Sequence, residues 1–88
     1  MNKNQRKVLS CLVNARNDDC YYFLSFEAIA QRTRLDRQSI RRGCRSLAKK
    51  GFARFEIGLW DDEGPAGSGY GATPEGAKAL QDLQEASL

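Results

Sequence analysis

Between Arg37 and Lys50, apolar or small residues recur at steps of three and four: Ile40, Gly43, Cys44 and Leu47. Gln38, Arg41, Arg42, Arg45 and Lys49 fall on the opposite side. At 3.6 residues per turn this spacing predicts one helix with a buried edge and a guanidinium-covered edge. A chain with such a helix must build a core for one edge and leave the other to water or to an anion. Asp36 stands in front as an N-cap, and Gly51 behind as a stop.

The flanking segments supply that core. A first helix is expected over about Lys3 to Arg16, with Val8, Cys11, Leu12 and Ala15 as one stripe and Leu9 and Val13 as a second strip beside it. The second strip is either more core or a homodimer surface, because a chain of 88 residues has little interior to offer. Asn17-Asp18-Asp19 should break this helix. The aromatic run Tyr21 to Leu24 reads as a short strand. Ser25 is an N-cap for a second helix that runs to about Thr33 and carries Phe26, Ile29 and Ala30 inward. Phe52 to Trp60 alternates with period two, placing Ala53, Phe55, Ile57 and Leu59 on one face. Asp61 to Gly69 has the chemistry of a long loop, and Tyr70 to Ala72 reads as a short returning strand. Thr73, Pro74 and Glu75 open a last helix that brings Ala77, Leu80 and Leu83 to one side.

Charge is polarised along this order. Residues 1–50 hold 12 Lys/Arg against 4 Asp/Glu, and residues 51–88 hold 2 against 7. Arg32, Arg34, Arg37, Arg41, Arg42 and Arg45 lie close together with Asp36 as the one acid among them, a footprint suited to nucleic acid. The chain has no histidine, which removes the usual catalytic base and a zinc ligand. Cys11, Cys20 and Cys44 lack metal or disulfide spacing and read as reduced thiols; Cys11 and Cys44 are expected in the core, with a redox-sensing Cys44 beside Arg41 and Arg45 as the alternative. No apolar run is long enough for a bilayer and no secretory signal is visible, so a cytoplasmic protein without membrane contact is expected. No enzyme, cofactor or metal is expected. Asp61, Asp62 and Glu63 could hold a divalent ion only with further ligands. Gly67-Ser68-Gly69-Tyr70-Gly71 lacks the Lys-Ser/Thr and the helix that a phosphate loop needs.

The order helix, strand, helix, helix, strand, loop, strand, helix defines an α+β chain, read as one domain over 1–88. Ile29 to Leu35, followed by Ile40, Cys44, Leu47 and Gly51, resembles the helix-turn-helix of bacterial winged-helix regulators, the MarR type among them. Tyr70-Gly71-Ala72-Thr73-Pro74-Glu75-Gly76 resembles the segment that closes their wing. Two residues depart from that pattern. Arg34 stands where the inter-helix turn commonly has Gly, so a differently shaped turn is expected. The wing tip carries Asp61-Asp62-Glu63 where basic residues are common, so the wing should stand away from a duplex or serve another partner.

The resemblance implies a transcriptional regulator that binds double-stranded DNA, with the third helix in the major groove. Arg37, Gln38, Arg41 and Arg42 are the candidates for reading bases, since Arg and Gln each offer two hydrogen bonds to a base edge. Arg32, Arg45 and Lys49 are the candidates for phosphates. A homodimer on an inverted repeat, with half-sites about one helical turn apart, would lengthen the site read, through Leu9, Val13 and Leu83 of the outer helices. The competing reading is a winged-helix protein adaptor, or a mobile-element protein acting on a host factor. RNA binding through stacking on Tyr21, Tyr22 and Phe23 is a lesser variant.

Overall fold

A computed structural model describes residues 1–19, 22–61 and 64–86. Cys20 and Tyr21 lie outside the described residues, as do the Asp62 and Glu63 of the acidic tip. The elements are α1 (Lys3–Asn14), a π-helical turn (Ala15–Asp19), β1 (Leu24–Ser25), α2 (Phe26–Thr33), α3 (Arg37–Lys49), β2 (Ala53–Asp61), β3 (Gly64–Ala72) and α4 (Pro74–Ala86). The sheet is antiparallel in the order β1-β3-β2.

α1 is the hub of the core. Asn2 caps it in a reciprocal box: its side chain accepts from the Gln5 amide at 2.8 Å, and the Gln5 side chain accepts from the Asn2 amide at 3.2 Å. Val8 and Leu9 are fully buried, Leu12 is 1% exposed and Val13 6%. Both apolar strips are therefore interior, because α1 lies against α2, α3, α4 and β3 together. Leu9 and Val13 do not form a dimer surface. Asn17-Asp18-Asp19 does not break the helix either: the chain widens into a π turn through Asp19. The fully buried Ala15, and the Arg16 guanidinium donating to the Ala72 carbonyl at 3.4 Å, hold that turn on the sheet.

Of the strand expected over Tyr21 to Leu24, the described residues Tyr22 and Phe23 lie outside β1, and Leu24 and Ser25 form it, pairing with Tyr70 and Gly69. Ser25 also caps α2, its hydroxyl accepting from the Ala28 amide at 3.1 Å. α2 ends at Arg34, which is left-handed at φ 62°, ψ 19°, contrary to the differently shaped turn expected. The Arg34 amide closes the last helical bond, donating to the Ala30 carbonyl at 2.8 Å, before the chain turns. The Thr33 hydroxyl then takes the Leu35 amide at 3.3 Å and fixes the entry to α3.

α3 terminates in a Schellman motif. Gly51 is at φ 81°, its amide donates to the Ala48 carbonyl at 3.0 Å, and the Phe52 amide donates to the Leu47 carbonyl at 2.9 Å. Thr73 ties this end to α4, donating to the Gly51 carbonyl at 2.6 Å and accepting from the Gly76 amide at 3.0 Å.

The segment read as a long loop is instead most of a strand. β3 has nine residues, and Asp61 pairs with Gly64. Glycine and proline depress strand propensity, but pairing along β2 overrides it. The hairpin accommodates Gly58 at φ 72° through a register shift between Glu56 and Leu59, and a second shift follows before Trp60. The shifts rearrange the faces. Leu59 leans over Gly69, on the side of Glu56, and Trp60 takes the place expected of Leu59 beside Phe55 and Ile57. That face is not closed over: Phe55 is 48% exposed, Ile57 69% and Trp60 74%.

Candidate nucleic-acid interface

The amphipathic division of α3 holds residue by residue. Ile40, Cys44 and Leu47 are fully buried, while Arg37, Gln38, Arg41, Arg42, Arg45 and Lys49 are all exposed. Gly43 faces α1, where a Cβ would sit in ordinary van der Waals contact, 3.4 Å from Val8 Cγ2. Gln5 Nε2 donates to Ser46 Oγ at 2.8 Å and fixes the rotation of α3 about its axis. Asp36, the acid nearest the basic edge in sequence, accepts from the Ser39 hydroxyl. That bond holds its carboxyl below the ordinary carboxylate range. Arg54 pairs with Glu56 at 3.6 Å on β2, away from the basic edge of α3.

Arg41 and Arg45, one turn apart, border the wing. With Phe26, Phe55, Ser68 and Tyr70 they line a cleft of about 310 Å³. The Tyr70 ring, 8% exposed, meets Phe26 edge-on at 5.9 Å and Phe55 at 5.2 Å. Burial raises the Tyr70 hydroxyl above its ordinary range, and the Arg45 and Arg41 charges oppose that rise. Arg37 lines a second cleft of about 470 Å³ with Ser25, Phe26, Glu27, Ala30, Gly67 and Ser68. The α3 candidates for base and phosphate contact thus share one surface, bounded by the hairpin.

Arg32 lies elsewhere. It is exposed at the end of α2 and lines a separate cleft of about 570 Å³, with Lys3, Arg6 and Lys7 of α1. This second basic grouping joins residues 25 or more positions apart, so only the packing of α1 on α2 reveals it. Phe55 was also missed as a site residue. It shares a strand face with Ala53, which is 5% exposed, but is itself 48% exposed at the cleft that Arg41 and Arg45 also line.

Cys44 is not a redox sensor in this fold. Burial, and then the Cys11 thiol, push its pKa up to about 12, so Arg41 and Arg45 on the outer face do not activate it. Leu83 on α4 is half-buried. Among the described residues no helix is long and apolar enough to cross a membrane.

No protein-family model matches the sequence, and no curated protein matches it. Solved structures do match in fold. A candidate DNA-binding protein from Ralstonia eutropha superposes with a TM-score of 0.74 at 24% identity, over 94% of this chain and 96% of that one. BpsR of Bordetella bronchiseptica, whose DNA binding is regulated by 6-hydroxynicotinic acid, gives 0.74 at 15% identity, over 97% of this chain and 54% of that one. MepR of S. aureus, solved in its DNA-binding conformation, gives 0.72 at 18% identity, over 97% and 57%. The chain therefore spans about half the length of these two regulators. Other neighbours include MarR-family regulators from Silicibacter pomeroyi and Neisseria meningitidis. In fold this chain is a winged helix, the architecture on which MarR-family regulators are also built.

Proposed function

We propose that this chain binds double-stranded DNA by laying α3 in the major groove, and that it acts in the cytoplasm as a homodimeric regulator of transcription. One observation carries the reading: Arg37, Arg41, Arg42 and Arg45 stand exposed along a helix whose other edge, Ile40, Cys44 and Leu47, is fully buried. A rigid helix with one edge anchored can hold guanidiniums at fixed spacing, which base reading requires and a flexible basic tail does not supply.

Arg37, Gln38, Arg41 and Arg42 are assigned to base edges, and Arg45 and Lys49 to phosphates. Arg32, on its separate basic cleft, is assigned to backbone contact outside the groove. The DNA-binding winged-helix neighbours support this assignment. One α3 reads only a few base pairs, so two copies per site are part of the proposal.

The test is selection from a random duplex pool followed by anisotropy measurements. A selected consensus is expected, with binding that weakens with salt at a log–log slope of roughly −4 to −5 for about 4–6 neutralised phosphates. Arg41→Ala should lower affinity for the consensus more than for random duplex, and Lys49→Ala should lower both alike. Equal effects of the two substitutions would remove the base-reading assignment. No affinity for duplex at moderate salt would remove the function.

A further inference from the structure

β2 is the outer strand of the sheet, and among the described residues nothing pairs with its free edge. An unpaired strand edge beside the exposed apolar side chains of Phe55 and Ile57 forms a template for another strand. The side chains around Phe55 make that template self-complementary. Arg54 and Glu56 flank it with opposite charges on one face, 70% and 38% exposed. Ala53, Phe55 and Ile57 occupy the other face.

We propose that the β2 edge pairs antiparallel with β2 of a second copy, on a twofold axis through Phe55. This goes beyond the DNA reading: it names the pairing surface and does not require that α3 binds DNA. In this register each Phe55 faces its mate, Ala53 faces Ile57, and Arg54 faces Glu56 on both sides of the axis. Every pair is then apolar with apolar or positive with negative, the two kinds that stabilise cross-strand neighbours. Shifting the register by two residues sets Arg54 opposite Arg54 or Glu56 opposite Glu56, so the charges select one alignment.

The Gly58 irregularity limits the paired stretch to residues 53–57 and turns the hairpin end away. An axis perpendicular to the joined sheet keeps both copies' Phe55 faces on the same side. Both α3 arginine edges then face that side too, since Phe55 shares its cleft with Arg41 and Arg45.

Sedimentation velocity of the full chain tests this by charge reversal. Wild type is expected to dimerise reversibly at micromolar to tens of micromolar concentration. Arg54→Glu or Glu56→Arg alone sets like charges opposite each other twice, and each should weaken dimerisation about tenfold. The double reversal R54E/E56R should restore it to within about threefold. Arg54 is exposed and Glu56 partly so, and far-UV circular dichroism should show all three variants folded. Wild type that stays monomeric up to about 100 μM overturns the proposal. So does a dimer that ignores the single reversals, or one that the double reversal fails to restore. Duplex affinity measured alongside reports on the DNA reading separately.

Discussion

Gly69→Ala should unseat β1. A Cβ built on Gly69 falls inside the van der Waals shell of the Leu24 carbonyl oxygen, 2.6 Å from its carbon and 2.8 Å from Leu59 Cδ1. Leu59 can rotate aside, but the Leu24 backbone cannot, because Leu24 is 5% exposed and Ser25 is committed to capping α2. Clearing the contact takes more than about 1 Å of movement, which stretches β1–β3 hydrogen bonds beyond their range. Weakening two such bonds costs about 1–3 kcal/mol, and partial exposure of Leu24 adds about 1 more. A loss of about 2–4 kcal/mol lowers Tm by roughly 10–25 °C in a domain of this size. Thermal and urea unfolding followed by far-UV circular dichroism measure it. Ser68→Ala, at a neighbouring half-buried position, is the control, expected within about 0.5 kcal/mol of wild type. A Gly69→Ala protein as stable as that control would mean that β1 does not cross β3 at this glycine.

Arg34→Gly should raise stability by about 0.5–1 kcal/mol: it relieves left-handed strain of about 1–2 kcal/mol and costs part of that in unfolded-chain entropy, whereas Arg34→Ala should bring no gain in the same urea series. Cys44 should resist alkylation at pH 8 until the protein unfolds, as peptide mapping after iodoacetamide treatment would show; labelling at the rate of a free thiol would contradict its burial. The raised pKa also gives a pH dependence. The folded thiol keeps its proton to about pH 12 while the unfolded one loses it near 9.0, so this contribution is whole below pH 9 and declines above it, measurable as a falling urea midpoint. Leu47→Ala, in the fully buried edge of α3, should cost about 2–5 kcal/mol and leave any surviving folded protein with its arginine surface intact.

What could be read in the sequence was what is local. Ser25, Asp36 and Thr73 each stand immediately before the helix they were expected to open, and Gly51 stops α3 with the expected left-handed turn. The two edges of α3 follow from its spacing alone, since a helix fixes which side chains share a face before any tertiary contact forms. The reading failed where a distant segment decides the outcome. Gly64 to Gly69 has loop composition and becomes strand because β2 lies beside it. Arg34 is left-handed at φ 62° where the chain turns from α2 into α3, with the Leu35 amide held by the Thr33 hydroxyl, against the residue's own preference. Leu9 and Val13 offered a choice between core and partner, settled only by how many elements gather around α1.

The wing shows why surfaces are harder to read than cores. Strand parity put Phe55, Ile57 and Leu59 on one face with Ala53, and the first two do share it. It could not say how far along the strand that face is covered. Ala53 is buried while Phe55 and Ile57 are exposed, so residues chosen by the same alternation are buried at one end of the strand and exposed at the other. The charges at 54 and 56 are likewise uninformative in one dimension, where they read as an ordinary solvated face. They become a register code only once β2 is known to be the outer strand, because only a free edge can meet its own copy. The arginine edge of α3 and the edge of β2 therefore lie on separate elements with separate chemistry, and each can be lost without the other.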